Sequence, residues 1–232
     1  MSNVCVLQTD NRPTLNYLLK TQQVNQKWCD TLGYNYSFIK MNHKYGNIHP
    51  ATKKIHIIHD WLQTASYDVL VFLDSDAWIQ NGHWLQQLIQ FMNRQQKNGC
   101  FSRDPYVRKN TFINSGSFIL KINEFTKQMY KDIIHHLYRN VSYHHTWPFD
   151  QYYISNYVFE NKRHFIIFIP DILNTPLGKI LRHNWYKNQK MYDDLDQLIE
   201  GDTIHENTMC IERSYDTHRF PNLMIHGNEY FE

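Results

Sequence analysis

Val69-Leu70-Val71-Phe72-Leu73-Asp74-Ser75-Asp76-Ala77 decides the fold. Its five apolar residues do not alternate with polar ones. That pattern predicts a strand buried on both faces, as in a parallel sheet covered by helices. Two carboxylates, two residues apart, follow at its carboxyl end. In an open α/β sheet, ligands bind outside the carboxyl ends of the strands. Residues i and i+2 on extended backbone point the same way. Two like charges on one side need a positive partner, and a divalent cation held by oxygen ligands supplies it. The plainer reading is a pair of solvated turn carboxylates. The buried strand in front of them favours the metal.

The residues upstream supply two strand–helix units. Val4 to Leu7 is an apolar run ending in the polar cluster Gln8-Thr9-Asp10-Asn11-Arg12-Pro13, which predicts a strand and a functional loop. Leu15 to Leu32 carries helix-spaced apolar residues with Gly33 as the stop. Tyr34 to Met41 alternates aromatic and polar residues, as a strand does. Pro50 starts a second helix with Ile55, Ile58, His59 and Leu62 on one face. With the strand at 69–73 this makes βαβαβ, hence an α/β fold with a mostly parallel central sheet flanked by helices. Downstream, His83 to Asn93 and Phe125 to Tyr138 read as helices. Phe112 to Leu120 and His164 to Ile169 read as strands, and the last sixty residues are mixed.

The chain has 232 residues, which at about 150 residues per domain points to one elaborated domain. No repeat, low-complexity stretch or linker divides it. The expected boundaries are 1–232, with a first half at about 1–80 and a second at about 81–232. Lys and Arg number 24 against 22 Asp and Glu. A net charge of +2 gives no bulk drive toward nucleic acid or anionic lipid. No apolar run approaches the ~20 residues needed to span a bilayer. No signal peptide opens the chain, and the four cysteines lack Cys-x-x-Cys spacing, so reduced thiols and a cytoplasmic location are expected. That location would be the host cytoplasm if the chain is viral, for which a Gly-poor, Asn- and Lys-rich composition is a hint. Glycines number only 8 and aromatics make up 15%, which suits either a ring-rich core or a binding cleft.

Phe72-Leu73-Asp74-Ser75-Asp76-Ala77 resembles the Asp-x-Asp motif of GT-A-fold, nucleotide-sugar-dependent glycosyltransferases. The nearest likeness is to the family-34 galactosyl/xylosyltransferase type, and small glycosyltransferase domains of large DNA viruses are similar. Other segments match in order: Lys53-Lys54, Asn114-Ser115-Gly116-Ser117-Phe118, Asp150-Gln151 and Ile225-His226-Gly227-Asn228. The resemblance spans about Val4 to Asn228. It implies a GT-A fold, a UDP-sugar as donor, a glycan or protein-glycan acceptor, and a divalent metal. It also implies retention of anomeric configuration.

Under that resemblance Asp74, Asp76 and His226 are the metal ligands, with Asp76 the best direct ligand and Asp74 nearer the ribose. A mixed oxygen and nitrogen set favours manganese over magnesium. Thr9, Asp10 and Asn11 would hold the nucleoside base, and Arg12 is a cation for the diphosphate. Lys53, Ser75, Gly116 and Gly227 join them as donor-binding residues, with Lys54 and Arg103 as further cations for the diphosphate. Asp150, Gln151 and Asn114 are the catalytic candidates, orienting sugar hydroxyls or stabilising positive charge at the anomeric carbon. Arg182, His183, Trp185 and Tyr186 would shape an acceptor cleft or fill the core. Each residue also has a plain reading: Asp10 as an Asx-turn, Asp150 as a first-turn charge on a helix, the cations as solvated surface. Gly116 inside a strand predicts a bulge or a close approach of backbone to ligand.

Two other enzyme classes fit less well. A nucleotidyltransferase making nucleotide sugars would carry a Gly-rich loop after the first strand, and 8–13 holds no glycine. A haloacid-dehalogenase-type phosphatase places Asp-x-Asp after its first strand, not its third. A sugar-binding module without catalysis stays open, although both Asp74 and Asp76 are present.

Overall fold

The computed structural model describes residues 2–107 and 112–201. Strands β1 (Val4–Asp10), β2 (Asn35–Lys40) and β3 (Val69–Leu73) alternate with helices α1 (Asn16–Leu32) and α2 (Pro50–Thr64). A short β4 (Ala77–Ile79) leads into α3 (Gly82–Arg94), β5 (Gly99–Arg103), β6 (Ile113–Lys121) and α4 (Glu124–Arg139). Then come α5 (Asp150–Glu160), β7 (Phe165–Phe168), α6 (Pro170–Leu173), β8 (Leu181–His183) and α7 (Gln189–Glu200).

Six strands form one sheet in the order β2-β1-β3-β6-β5-β7. Strand β1 runs parallel to both β2 and β3, and β5 runs parallel to β7. Only β6 is antiparallel to its neighbours. The mostly parallel α/β domain expected from the sequence is therefore present. The expected helix ends are met closely. Gly33 adopts φ +67° and closes α1, the left-handed geometry that glycine takes without a Cβ penalty.

Alternation along β3 explains why its sequence is uniformly apolar. Val69, Val71 and Leu73 pack into one core with Trp28, Trp78 and Met92. Leu70 and Phe72 pack into the other with Ile55, Ile58, Phe101 and Tyr130. Both faces are covered, so neither tolerates a polar residue.

Strand β4 belongs to a second, two-stranded sheet with β8, in which Ala77 pairs with His183. The sequence gives little sign of β4, β5 or β8. Each has three to five residues and owes its extension to its partner.

The turn between β3 and β4 is held by buried amides and hydroxyls. Gln8 on β1 donates from Nε2 to the carbonyls of Asp74 (3.0 Å) and Ala77 (3.2 Å). Its Oε1 accepts from Asn25 and from the Tyr36 hydroxyl. Thr21 on α1 donates to the Ser75 carbonyl, and Asn25 Oδ1 accepts from the Ile79 amide. A buried backbone carbonyl without a donor is costly, so the first helix and first strand carry polar residues here. Replacing Gln8 by leucine removes one donor from each of two carbonyls and the acceptor shared by the Asn25 amide and the Tyr36 hydroxyl. We expect Gln8→Leu to lower stability by roughly 2–4 kcal/mol in urea unfolding, with a larger effect than Gln8→Glu.

Candidate active site

Asp74, Ser75 and Asp76 sit at the carboxyl edge of the sheet, between β3 and β4. The two carboxylates meet different cations. Lys54 Nζ lies 2.9 Å from Asp74 Oδ1 and 3.0 Å from Asp150 Oδ2. It also donates to the Ser115 carbonyl at 3.2 Å. The Lys54 side chain is only 3% exposed, whereas Asp74 is 30% exposed and opens to solvent. Burial alone would lower the Lys54 pKa, but Asp150 and Asp74 outweigh it and hold the ammonium charged.

Asp150 begins α5 and is buried beside Lys54. Burial, reinforced by Asp74, pushes its carboxyl up to about 6 despite Lys54 and a hydrogen bond from Ser115 Oγ. Its backbone is aimed by Phe149, a non-glycine residue at φ +53°. Such left-handed geometry stores strain of order 1–3 kcal/mol.

Asp76 faces the other way. Its Oδ1 lies 3.1 Å from His183 Nε2 and its Oδ2 lies 3.2 Å from Lys187 Nζ. Burial opposes ionisation of Asp76, but these two cations overcome it and hold the carboxyl well below the usual carboxylate range. Burial would likewise lower His183, yet Asp76 outweighs it and holds the imidazole above its ordinary value.

Ligand atoms of Asp74, Asp76 and His183 lie within 4.8 Å of one another. The orientation of His183 follows from its neighbours. Asn114 Oδ1 accepts from the Gly116 amide at 2.9 Å, which fixes that atom as the oxygen. His183 Nδ1, 3.3 Å from the same oxygen, must then be the donor. Nε2 is then the nitrogen that faces Asp76, donating to it while the ring is charged and offering a lone pair to a cation once that proton is lost. Two carboxylates and an imidazole fit a divalent cation.

Gly116 makes room for this ring. A Cβ built on it would fall 2.1 Å from His183 Nδ1. The close approach expected at that glycine is therefore made by an imidazole. A carboxylate from the loop after β5 completes the frame. Asp104 accepts from Asn114 Nδ2 and Gln151 Nε2, both at 3.2 Å, and from the amides of Tyr106 and Val107.

Residues 20–158 match the model of glycosyl transferase family 2. The chain belongs to that family. It resembles the crystal structure of a glycosyltransferase involved in the glycosylation of the major capsid of PBCV-1, with a TM-score of 0.65 and 16% identity. That likeness covers 86% of this chain and 100% of the other. It also resembles the glycosyltransferase GlyE of Streptococcus pneumoniae TIGR4, with a TM-score of 0.56 and 10% identity over 89% of this chain and 64% of the other. At these identities the likenesses establish a shared GT-A fold. No curated protein matches the chain. The family model is family 2, where the order of motifs resembled family 34.

Within this glycosyltransferase the sequence-derived site residues fall into four groups. Asp74, Ser75, Asp76, Asn114, Gly116, Asp150 and Gln151 converge on one edge. Thr9, Asp10, Asn11 and Arg12 lie at the end of β1, beside it. Thr9 Oγ1 donates to the Ile39 carbonyl, and Asp10 accepts from the amide and guanidinium of Arg12. The Asx-type turn read as the plain alternative for Asp10 is thus formed, with Arg12 exposed above it. Of the two lysines on α2, Lys54 is the one whose ammonium enters the cluster, and Lys53 is half-buried beside it. His226 and Gly227 lie outside the described residues. His183, Lys187 and Asp104 were not singled out as ligand, counter-ion or frame by the sequence. Their signal is spatial, arising from the pairing of β4 with β8 and from the loop after β5.

The ion pairs set a pH dependence. A histidine whose pKa is raised by folding stabilises the protein fully below 6.5 and loses that contribution as pH rises through the raised value. Asp150, raised from 3.8 to about 6, likewise contributes below 3.8 and loses it as pH rises through about 6. Chelator-treated protein should therefore melt lower at pH 8.5 than at pH 6.5, and His183→Gln should flatten that slope. A cation needs the neutral ring. Manganese should raise the melting temperature more at pH 8 than at pH 6, and equal shifts would exclude His183 as a ligand.

Proposed function

We propose that this chain is a metal-dependent glycosyltransferase that moves a hexosyl or pentosyl group from a nucleoside diphosphate, with uridine diphosphate favoured, to a saccharide acceptor. The observation that carries this reading is the Asp74–Asp76–His183 cluster at the carboxyl edge of β3. Manganese bound there would neutralise charge on the departing diphosphate as a Lewis acid and fix its orientation.

The chain's own groups divide the remaining work. Arg12 and Lys187 place positive charge on the Asp76 side, where the diphosphate would lie. Such cations stabilise charge that develops as the glycosidic bond breaks. Asp74 is the more open of the two carboxylates, which suits contact with ribose or metal. Asp150 is locked by Lys54 and Ser115, so it acts as a fixed negative charge near the anomeric carbon. Gln151 and Asn114, both tied to Asp104, offer amide groups to sugar hydroxyls.

A family-2 glycosyltransferase that had become a binding module would still hold nucleotide, so turnover separates the two. In calorimetry with manganese present, Asp76→Ala should weaken uridine diphosphate binding by at least tenfold. Unchanged affinity would sink the metal reading. Wild-type protein should release uridine diphosphate from a matching donor sugar in the presence of manganese, and a panel of nucleotide sugars identifies that donor.

The retaining course rests on the family-34 likeness alone. Proton NMR of the first-formed product tests it. The donor's anomeric configuration in the product supports retention, and the opposite configuration overturns it.

A further inference from the structure

We propose that Tyr106, Trp185 and Tyr186 form the stacking platform for the acceptor saccharide. Tyr106 follows β5, and the other two follow β8. Tyr106 and Tyr186 are 63% and 58% exposed, yet their hydroxyls are hydrogen-bonded to each other. Large exposed rings cost solvation and need a reason. Here the two loops hold them together instead of burying them.

Their place in the fold identifies what they meet. A row of contacts crosses the carboxyl edge of the sheet. Arg12 reaches the Tyr17 hydroxyl at 3.5 Å, and Lys187 lies 5.0 Å over the Tyr17 ring. Lys187 and His183 flank Asp76. His183 meets the Trp185 ring edge-on with centroids 5.2 Å apart, and Trp185 meets Tyr106 at 5.6 Å. The candidate metal site lies along this row, where His183 and Lys187 meet Asp76. On one side is the loop after β1. On the other is the platform, reached past β6 and β5 in the strand order.

A nucleoside and an acceptor must approach the anomeric carbon from different directions. With the cationic loop on the β1 side for the donor, the aromatic side is left for the acceptor. The chemistry agrees. A pyranose has an apolar face of C–H bonds and a rim of hydroxyls, and tyrosines match it with a ring face and a phenolic edge. Asp104, whose carboxylate takes the Tyr106 amide at 2.9 Å, ties the platform to Asn114 and Gln151. The platform and the sugar-facing amides thus share one anchor.

This inference rests on the glycosyltransferase reading, and the test separates the two. Saturation-transfer NMR with methyl glycosides of glucose, galactose, mannose and xylose reports saccharide binding without any donor. Signal from at least one is expected for the wild type, with loss of it in a Tyr106→Ala/Tyr186→Ala variant. Absence of signal from all four, or signal that survives in the variant, overturns the platform whatever the donor does. In turnover with a responsive glycoside, the variant should raise the acceptor KM about tenfold. Its manganese-dependent uridine diphosphate affinity and its hydrolysis of donor by water should match the wild type. An equal loss of nucleotide affinity would assign the rings to the nucleoside instead and overturn the proposal.

Discussion

A single ammonium, Lys54 Nζ, sits between two carboxylates and a carbonyl in a place water hardly reaches. A buried charge costs several kcal/mol unless it is paired and hydrogen-bonded. Each partner of Lys54 comes from a different element: Asp74 from the end of β3, Ser115 from β6, Asp150 from the start of α5. The cation can be satisfied only when all three are in place. Equally, Asp150 has no other cation within reach among its described ion pairs. The first half of the chain, which supplies α2 and β3, is thereby locked to the second half, which supplies β6 and α5. Removing either partner leaves an uncompensated charge, so the pair specifies this arrangement more than it stabilises it. Asp150 gains a defined charge and position at the cost of mobility, which is what an electrostatic role requires and a proton-shuttling role does not.

Asp76 carries the opposite arrangement. Its partners, His183 and Lys187, belong to one short segment paired with β4 and to the loop beyond it. One partner, His183, is an imidazole and can hold or release a proton. The Asp76 side is therefore the adaptable half of the site, with a titratable ring as one partner of its carboxylate. The Lys54 side is the fixed half. A site that must accept a charged donor and release a charged product benefits from keeping these duties on separate carboxylates.

The βαβαβ half was legible in the sequence because long apolar periodicity and terminal glycine or proline residues mark it. On α2 the apolar stripe held a signal that the choice of Lys53 as the donor-binding residue missed. The stripe of Ile55, Ile58 and Leu62, carried back by one helical turn from Ile58, reaches Lys54 and not Lys53. The buried face of α2 does contain Lys54. Strands β4, β5 and β8 were not legible, since pairing rather than propensity makes them extended. His183 was hidden for the same reason. Among 14 histidines nothing local distinguishes it, and only its pairing opposite Ala77 brings it to Asp76.

The scarcity of glycine takes its physical meaning from Gly116. The imidazole of His183 lies against the β6 backbone, where any Cβ would collide with it. The amide of Gly116 also fixes the Asn114 oxygen, and that oxygen fixes which nitrogen of His183 carries the hydrogen. The missing side chain sets the position of the ring, and the backbone amide at the same residue sets its tautomer. The strand carries glycine there because the neighbouring histidine needs the space. The same strand supplies Ser115 to Lys54 and Asp150, so the fixed and adaptable halves of the site are joined through two adjacent residues of β6. Whatever binds between Asp74 and Asp76 meets groups whose relative positions are set by that strand.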